Sequence, residues 1–172
     1  MAATRRLGLV PRPPTPALVA AMTTRDDLID LLNGPEPGTV CTFYVTGDPA
    51  PQGSKRHVGR GVLVESSKKV EPWRVDVATA AQKWRAANGR PQPLDGPLAA
   101  RLVFFLRKPI STPKKVVQPF RKPDLDKLVR STFDALSGVI WADDARVVSL
   151  HAEKRYAAPG EPTGCRITVG AA

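Results

Sequence analysis

The chain has 172 residues, 42% of them hydrophobic and 24% charged, enough for one ordinary soluble domain with a buried core. No apolar run approaches the ~20 residues of a membrane span, and the two cysteines, Cys41 and Cys165, form no CxxC pair, which argues against a disulfide framework or a zinc site. A net charge of +10 asks for an anionic partner, nucleic acid before membrane surfaces or acidic proteins. Residues 1–40 hold four Arg and four acids and are neutral, so the whole excess falls in residues 41–172.

Residues 1–22 are rich in Pro, Ala and Arg and are predicted to be disordered; their apolar patch is too short and too late for a secretory signal. "TTRDDLIDLLNG" predicts a short helix capped by Thr24 and ended by Gly34, with "GPEPG" as a linker. The expected organisation is an extension over residues 1–40 and a domain over 41–172. "CTFYVTG" opens the domain as a strand, "DPAPQGSKRHVGRG" follows as a basic loop, and "VLVE" as a short strand. "EPWRVDVATAAQKWRAANG" predicts an amphipathic helix with Pro72 in its first turn, Trp73, Val77, Ala80, Ala81 and Trp84 on one face, and Gly89 as its stop. "LAARLVFFLR" is the strongest strand signal, and "KPISTPKKVVQPFRK" is a second basic, Pro-rich loop. Leu125, Leu128, Val129, Phe133 and Leu136 recur at helical spacing up to Gly138. "RVVSLHAEKRYA" and "CRITVG" close the chain as strands. The pattern predicts an α+β fold, a small mixed sheet packed with two main helices. Cys41 and Cys165 are expected to be small buried residues near strand starts.

One stretch runs against the charge of the rest. "KPDLDKLVRSTFDALSGVIWADDARVV" holds five acids, Asp124, Asp126, Asp134, Asp143 and Asp144. Two readings compete. Asp124 suits an N-cap and Asp126 a first helical turn, where the helix dipole favours negative charge by ~0.3–1 kcal/mol. Alternatively, a helix doubling back into a strand brings the two pairs, Asp124 with Asp126 and Asp143 with Asp144, into one cluster of hard oxygen ligands suited to Mg²⁺ or Mn²⁺. The cationic runs "QGSKR", "SKK", "PKK" and "FRK" around this acidic focus favour the second reading. Phosphodiester backbones are bound by Lys and Arg, and their hydrolysis commonly uses carboxylate-held metal. The best DNA-contact candidates are Gln52, Gly53, Ser54, Lys55 and Arg56, with Lys114, Lys115, Arg121 and Lys122 behind them. His57 and His151 have no nucleophile to serve, and Trp141 is expected to anchor the turn that delivers Asp143 and Asp144.

The stretch resembles the core motif of RusA-type Holliday-junction resolvases, endonucleases of phages, prophages and some bacteria. Their pattern runs PD-x-D-N, a Lys three residues later, D-A-L, an aromatic residue and D-D before a strand. "FYVTGDPAPQGSKR", "EPWRVDVATAA" and "HAEKRYA" fit the same family, so the likeness spans residues 41–170. The resemblance implies a RusA-like fold and a homodimer that resolves four-way junctions by paired, Mg²⁺-dependent hydrolysis, with Mn²⁺ as a substitute. It implies that Asp124, Asp126 and Asp144 are the essential acids, with Asp143 beside them as a further ligand. Asp134, about 12 Å from Asp126 along the helix, would be structural. Two departures stand out: Lys127 replaces the family Asn, and Arg130 replaces the family Lys. The Arg130 guanidinium still holds phosphate in a bidentate manner but is a poor proton donor, and Lys127 is the other catalytic candidate for that role; a solvated helix cation is the plain alternative at both positions. The expected location is the cytoplasm, that of the bacterial host if a phage encodes the chain. A non-catalytic basic DNA-binding accessory protein and a less selective flap or branch nuclease are the alternative functions.

Overall fold

The computed structural model describes residues 38–53, 55–57, 63–65 and 68–172, the two short segments by their backbone alone. The helix expected at residues 23–34 and the loop residue Ser54 lie outside these. Strands β1 (Thr39–Thr46), β4 (Leu98–Leu106), β5 (Val147–Tyr156) and β6 (Gly164–Ala171) form one sheet in the order β1-β6-β4-β5. Strands β2 (Lys55–His57) and β3 (Leu63–Glu65) pair separately as a small antiparallel ribbon. Helix α1 spans Val70–Ala87 and α2 spans Leu125–Leu136; a single 3₁₀ turn covers Asp144–Arg146. The mixed sheet with two helices is the expected α+β arrangement. Among the described residues the added elements are that 3₁₀ turn and β2, which lies inside what reads as a basic loop: its pairing is supplied by β3, not by any alternation of its own.

β6 runs antiparallel to both β1 and β4, whereas β4 and β5 run parallel. β4 lies between two partners, and Leu102 through Leu106 are all buried. That accounts for the unbroken apolar run "LVFFL", since a strand covered on both faces has no reason to alternate. Where β1 meets β6 the backbones touch: a Cβ on Gly164 would fall 1.9 Å from the carbonyl oxygen of Val45, so only glycine fits.

The two helices pack together over the sheet. Val70, Trp73, Val77 and Ala81 of α1 are buried, with Ala80 and Trp84 packed against the same core. Leu128 and Leu136 of α2 are fully buried, each contributing about 1.5–3 kcal/mol, and Leu125, Val129 and Phe133 flank them. Two polar residues share this interface, Ser131 and Thr132, and both are satisfied. Trp73 donates its indole N–H to Thr132 Oγ1 at 3.1 Å, the Thr132 hydroxyl returns to the Leu128 carbonyl, and the Ser131 hydroxyl lies between the Leu128 and Ala50 carbonyls, nearer to Ala50. Gly138, at φ +74, ends α2 where a side chain would be strained. The opposite face of the sheet is covered by Tyr44 against Phe105 and by the Arg155 guanidinium over the Phe105 ring. Cys41 and Cys165 are buried, free thiols. No described helix is long and apolar enough to cross a membrane.

Candidate active site

Strand β4, helix α2 and strand β5 form a parallel β-α-β crossover. In such a unit the helix must run back along the strands before the second strand begins. The residues that precede α2 therefore lie at the carboxyl edge of β4 and β5, and those that follow it lie at the amino edge.

Asp124 occupies the N-cap of α2 with extended backbone, φ −72 and ψ 136, yet its carboxylate accepts no helix N–H. The side chain is 43% exposed and faces Lys127, whose Nζ lies 3.4 Å from Oδ2. Asp126, in the first turn, is exposed and has no hydrogen bond or ion pair among the described residues. Arg130, one turn beyond Asp126 on the same helix face, is exposed as well. The segment leading into α2 is held by β5: Lys154 Nζ donates to the carbonyls of Arg121 at 2.9 Å and Pro123 at 2.7 Å.

The basic loop after β1 docks on this end of the helix. The Gln52 N–H donates to the Lys127 carbonyl at 3.0 Å, and Ser131 Oγ donates to the Ala50 carbonyl at 2.6 Å. With its backbone so fixed, Gln52 keeps its side-chain oxygen Oε1 buried and without a donor among the described residues. Gly53 is half-buried beside it; Lys55 and Arg56 form β2. Lys114, Lys115, Arg121 and Lys122 are exposed on the loop that joins β4 to α2. The same carboxyl edge carries an open cleft of about 970 Å³, lined by Thr46, Gly47, Arg107, Lys108 and Glu161 among others. Glu161 is spoken for by Arg155 at 3.1 Å and by the Ala158 N–H at 2.7 Å. Arg107 and Lys108 are cations that motif reasoning passed over, and their position at a strand end is the signal that would have found them.

The second acid pair is elsewhere. Trp141 is fully buried, packs edge-on against Phe133 at 4.9 Å and donates its indole N–H to Ser137 Oγ at 3.2 Å. Leu94 bonds on either side of it, to the Ile140 carbonyl and from the Ala142 N–H. This is the anchored turn that the sequence predicts. It delivers Asp143 and Asp144 to the amino edge, where Arg146 pairs with Asp95 at 2.6 Å. Asp143 caps the 3₁₀ turn, accepting the Ala145 N–H at 2.9 Å, while Asp144 has no such bond. The twelve residues of α2 span roughly 18 Å at 1.5 Å each. The helix thus separates the two acid pairs along the chain, against the expectation that it folds them together. Among the described residues, no three His, Cys, Asp or Glu gather closely enough to hold an ion. Asp134 is engaged by Arg74 of α1 in an ion pair across the helix interface.

A model of the family described as Endodeoxyribonuclease RusA matches residues 46–169. Among curated proteins, the chain is 30% identical over 126 residues to the uncharacterized protein YqaN of Bacillus subtilis (strain 168), covering 66% of this chain and 86% of that one.

Proposed function

The chain belongs to the RusA family of endodeoxyribonucleases, and from that premise we propose that it is a divalent-metal-dependent homodimer that resolves four-way DNA junctions by paired phosphodiester hydrolysis in recombination and repair. The observation that carries this reading is that Asp124 makes no cap bond and pairs only with half-exposed Lys127, while Asp126 has no partner among the described residues. An Asp at an N-cap that leaves the helix N–H groups alone is not there to cap. Together with the exposed Asp126 it makes a carboxylate pair at a strand edge rimmed with cations.

The pair fits one hard cation, because Mg²⁺ is held by one or two carboxylates with waters and substrate phosphate completing its shell. Bound there, such an ion would supply activation of water and stabilisation of the leaving oxygen. Lys127 offsets the charge of Asp124 in the free protein. Arg130 presents a guanidinium on the face of Asp126 and would hold a phosphate oxygen pair, taking over the clamping part of the family Lys but not proton donation. Lys154 fixes the backbone ahead of Asp124, so it acts as a positioning residue. Gln52 Oε1 offers a buried acceptor within a turn of the acids.

Asp143 and Asp144 enter this scheme through the dimer. β5 is one of the two edge strands of the sheet, β1 being the other, and it exposes Val148 and Leu150. A two-fold partner added antiparallel on that edge lays the start of one β5 against the end of the other. Asp144 of the partner subunit then comes to the edge that bears Asp124 and Asp126. Co-expression of Asp126→Asn with Asp144→Asn subunits tests this. A shared site leaves one intact centre per heterodimer, so single nicking of a junction recovers although each variant alone is inactive. Verified heterodimers that stay inactive reject the shared site.

The separation of the acid pairs within a subunit also suits a non-catalytic, DNA-binding reading. Metal-stimulated nicking of four-way, flap and linear DNA, compared with EDTA, decides between them: cleavage indifferent to metal sinks the mechanism, and equal cleavage of all three substrates assigns a less selective nuclease.

A further inference from the structure

The loop between β4 and α2, residues 107–124, carries six cations, Arg107, Lys108, Lys114, Lys115, Arg121 and Lys122, and no acid before Asp124. Within it stand three exposed apolar side chains, Ile110, Val117 and Phe120. Phe120 is 72% exposed, four residues ahead of Asp124. It is not on a loose tip. Pro119 on one side is buried, and on the other the Arg121 carbonyl is held by Lys154. The Arg121 guanidinium lies 5.6 Å from the Phe120 ring centre, which leaves the ring held from one side and open on the other.

An aromatic ring mounted rigidly among uncompensated cations selects its partner by two properties at once. The cations demand a polyanion, which excludes an ordinary apolar protein groove. The ring demands a flat apolar surface on that polyanion, and in nucleic acid that surface is a base face. In an intact duplex the faces are stacked and closed, whereas at a branch point stacking is interrupted and a side chain can enter at lower cost. We infer that Phe120 is a stacking wedge that inserts against a base opened at the branch point, next to the phosphate presented to Asp124 and Asp126, and so contributes to selectivity for branched over linear DNA. This inference rests on the branched-DNA reading above.

The test uses the full-length chain in EDTA with a four-way junction carrying 2-aminopurine at the crossover. Wild-type protein is expected to raise the fluorescence as the base unstacks. Phe120→Ala should cut that rise several-fold and lower the ratio of junction to linear-duplex affinity about tenfold, the scale of one lost stacking contact. Phe120→Trp should restore both. The melting temperature of Phe120→Ala should match wild type, since the ring supports no core. Wild-type fluorescence and affinity ratio in Phe120→Ala, with junction preference intact, overturn the wedge alone. A wild-type protein with no preference for junctions overturns the branched-DNA reading and the wedge with it. Loss of dimer in Phe120→Ala, read by light scattering, assigns the ring to a second copy of the chain instead.

Discussion

At one end of α2, Asp124 adopts the backbone of an N-cap and bonds no helix N–H; at the other, Asp143 accepts the N–H of Ala145 and tightens a 3₁₀ turn. The residue types are the same and both sit just ahead of a helical turn. Their surroundings differ. The Asp143 end is braced by buried Trp141, by the Leu94 bonds and by the Arg146–Asp95 pair. The Asp124 end is braced through backbone carbonyls, by Lys154 and by the docked loop at Gln52, which leaves its carboxylates out of the bracing: Asp124 meets only the half-exposed Lys127 ammonium, and Asp126 has no partner among the described residues. Fixing a backbone without using its side chains is how a protein keeps ligands available in a set geometry. Of the second pair, Asp143 is occupied with structure, whereas the Asp144 carboxylate makes no such bond among the described residues.

The largest test of this contrast is Asp126→Asn, expected to lower metal-stimulated junction cleavage at least ~10³-fold, the order seen when a transition-state charge partner is lost. Junction binding should persist or tighten as negative charge is removed, and melting should not fall. Loss of folding instead would return Asp126 to a structural role. Next comes Trp141→Ala, which empties a fully buried indole site and should cost about 3–5 kcal/mol in urea unfolding. A cost under about 1 kcal/mol would show that the turn is held by other means.

A subtler comparison pits the two caps against each other. Asp143→Ala should cost about 1 kcal/mol, the usual worth of a cap, whereas Asp124→Ala should cost less than half of that because no cap bond is broken. Equal costs would erase the distinction. The smallest effect is at Asp95, whose pKa is lowered by the Gly96 N–H and then by the Arg146 guanidinium. With the folded value below the unfolded one, its stabilisation of the turn is present above the ordinary carboxylate range and is lost as pH falls through the folded value. Resonances of residues 144–146 should shift in that acid window in wild type and not in Asp95→Asn.

Much of the fold was legible because the signals are local. The face of α1, the period of α2, the glycine stops and the apolar run of β4 each follow from a few neighbouring residues. β2 was not, since a three-residue strand in a Gly- and Pro-rich segment exists only through its partner. Nor were the carbonyl bonds of Lys154, the buried Gln52 oxygen or the cleft cations Arg107 and Lys108, all of which depend on contacts across long sequence separations.

The candidate site divides along the same line. Residue chemistry and spacing by themselves singled out the acids and their cationic rim; the resemblance of the motif supplied the family, which the family model matches, and the departures at Lys127 and Arg130. Chemistry and spacing favoured one cluster for both acid pairs, over a capping role, on the idea that the helix doubles back into a strand. The tertiary structure decided which edge of the sheet each pair reaches. A helix that connects parallel strands must run against them, so a motif that starts before it and ends after it is divided between opposite edges.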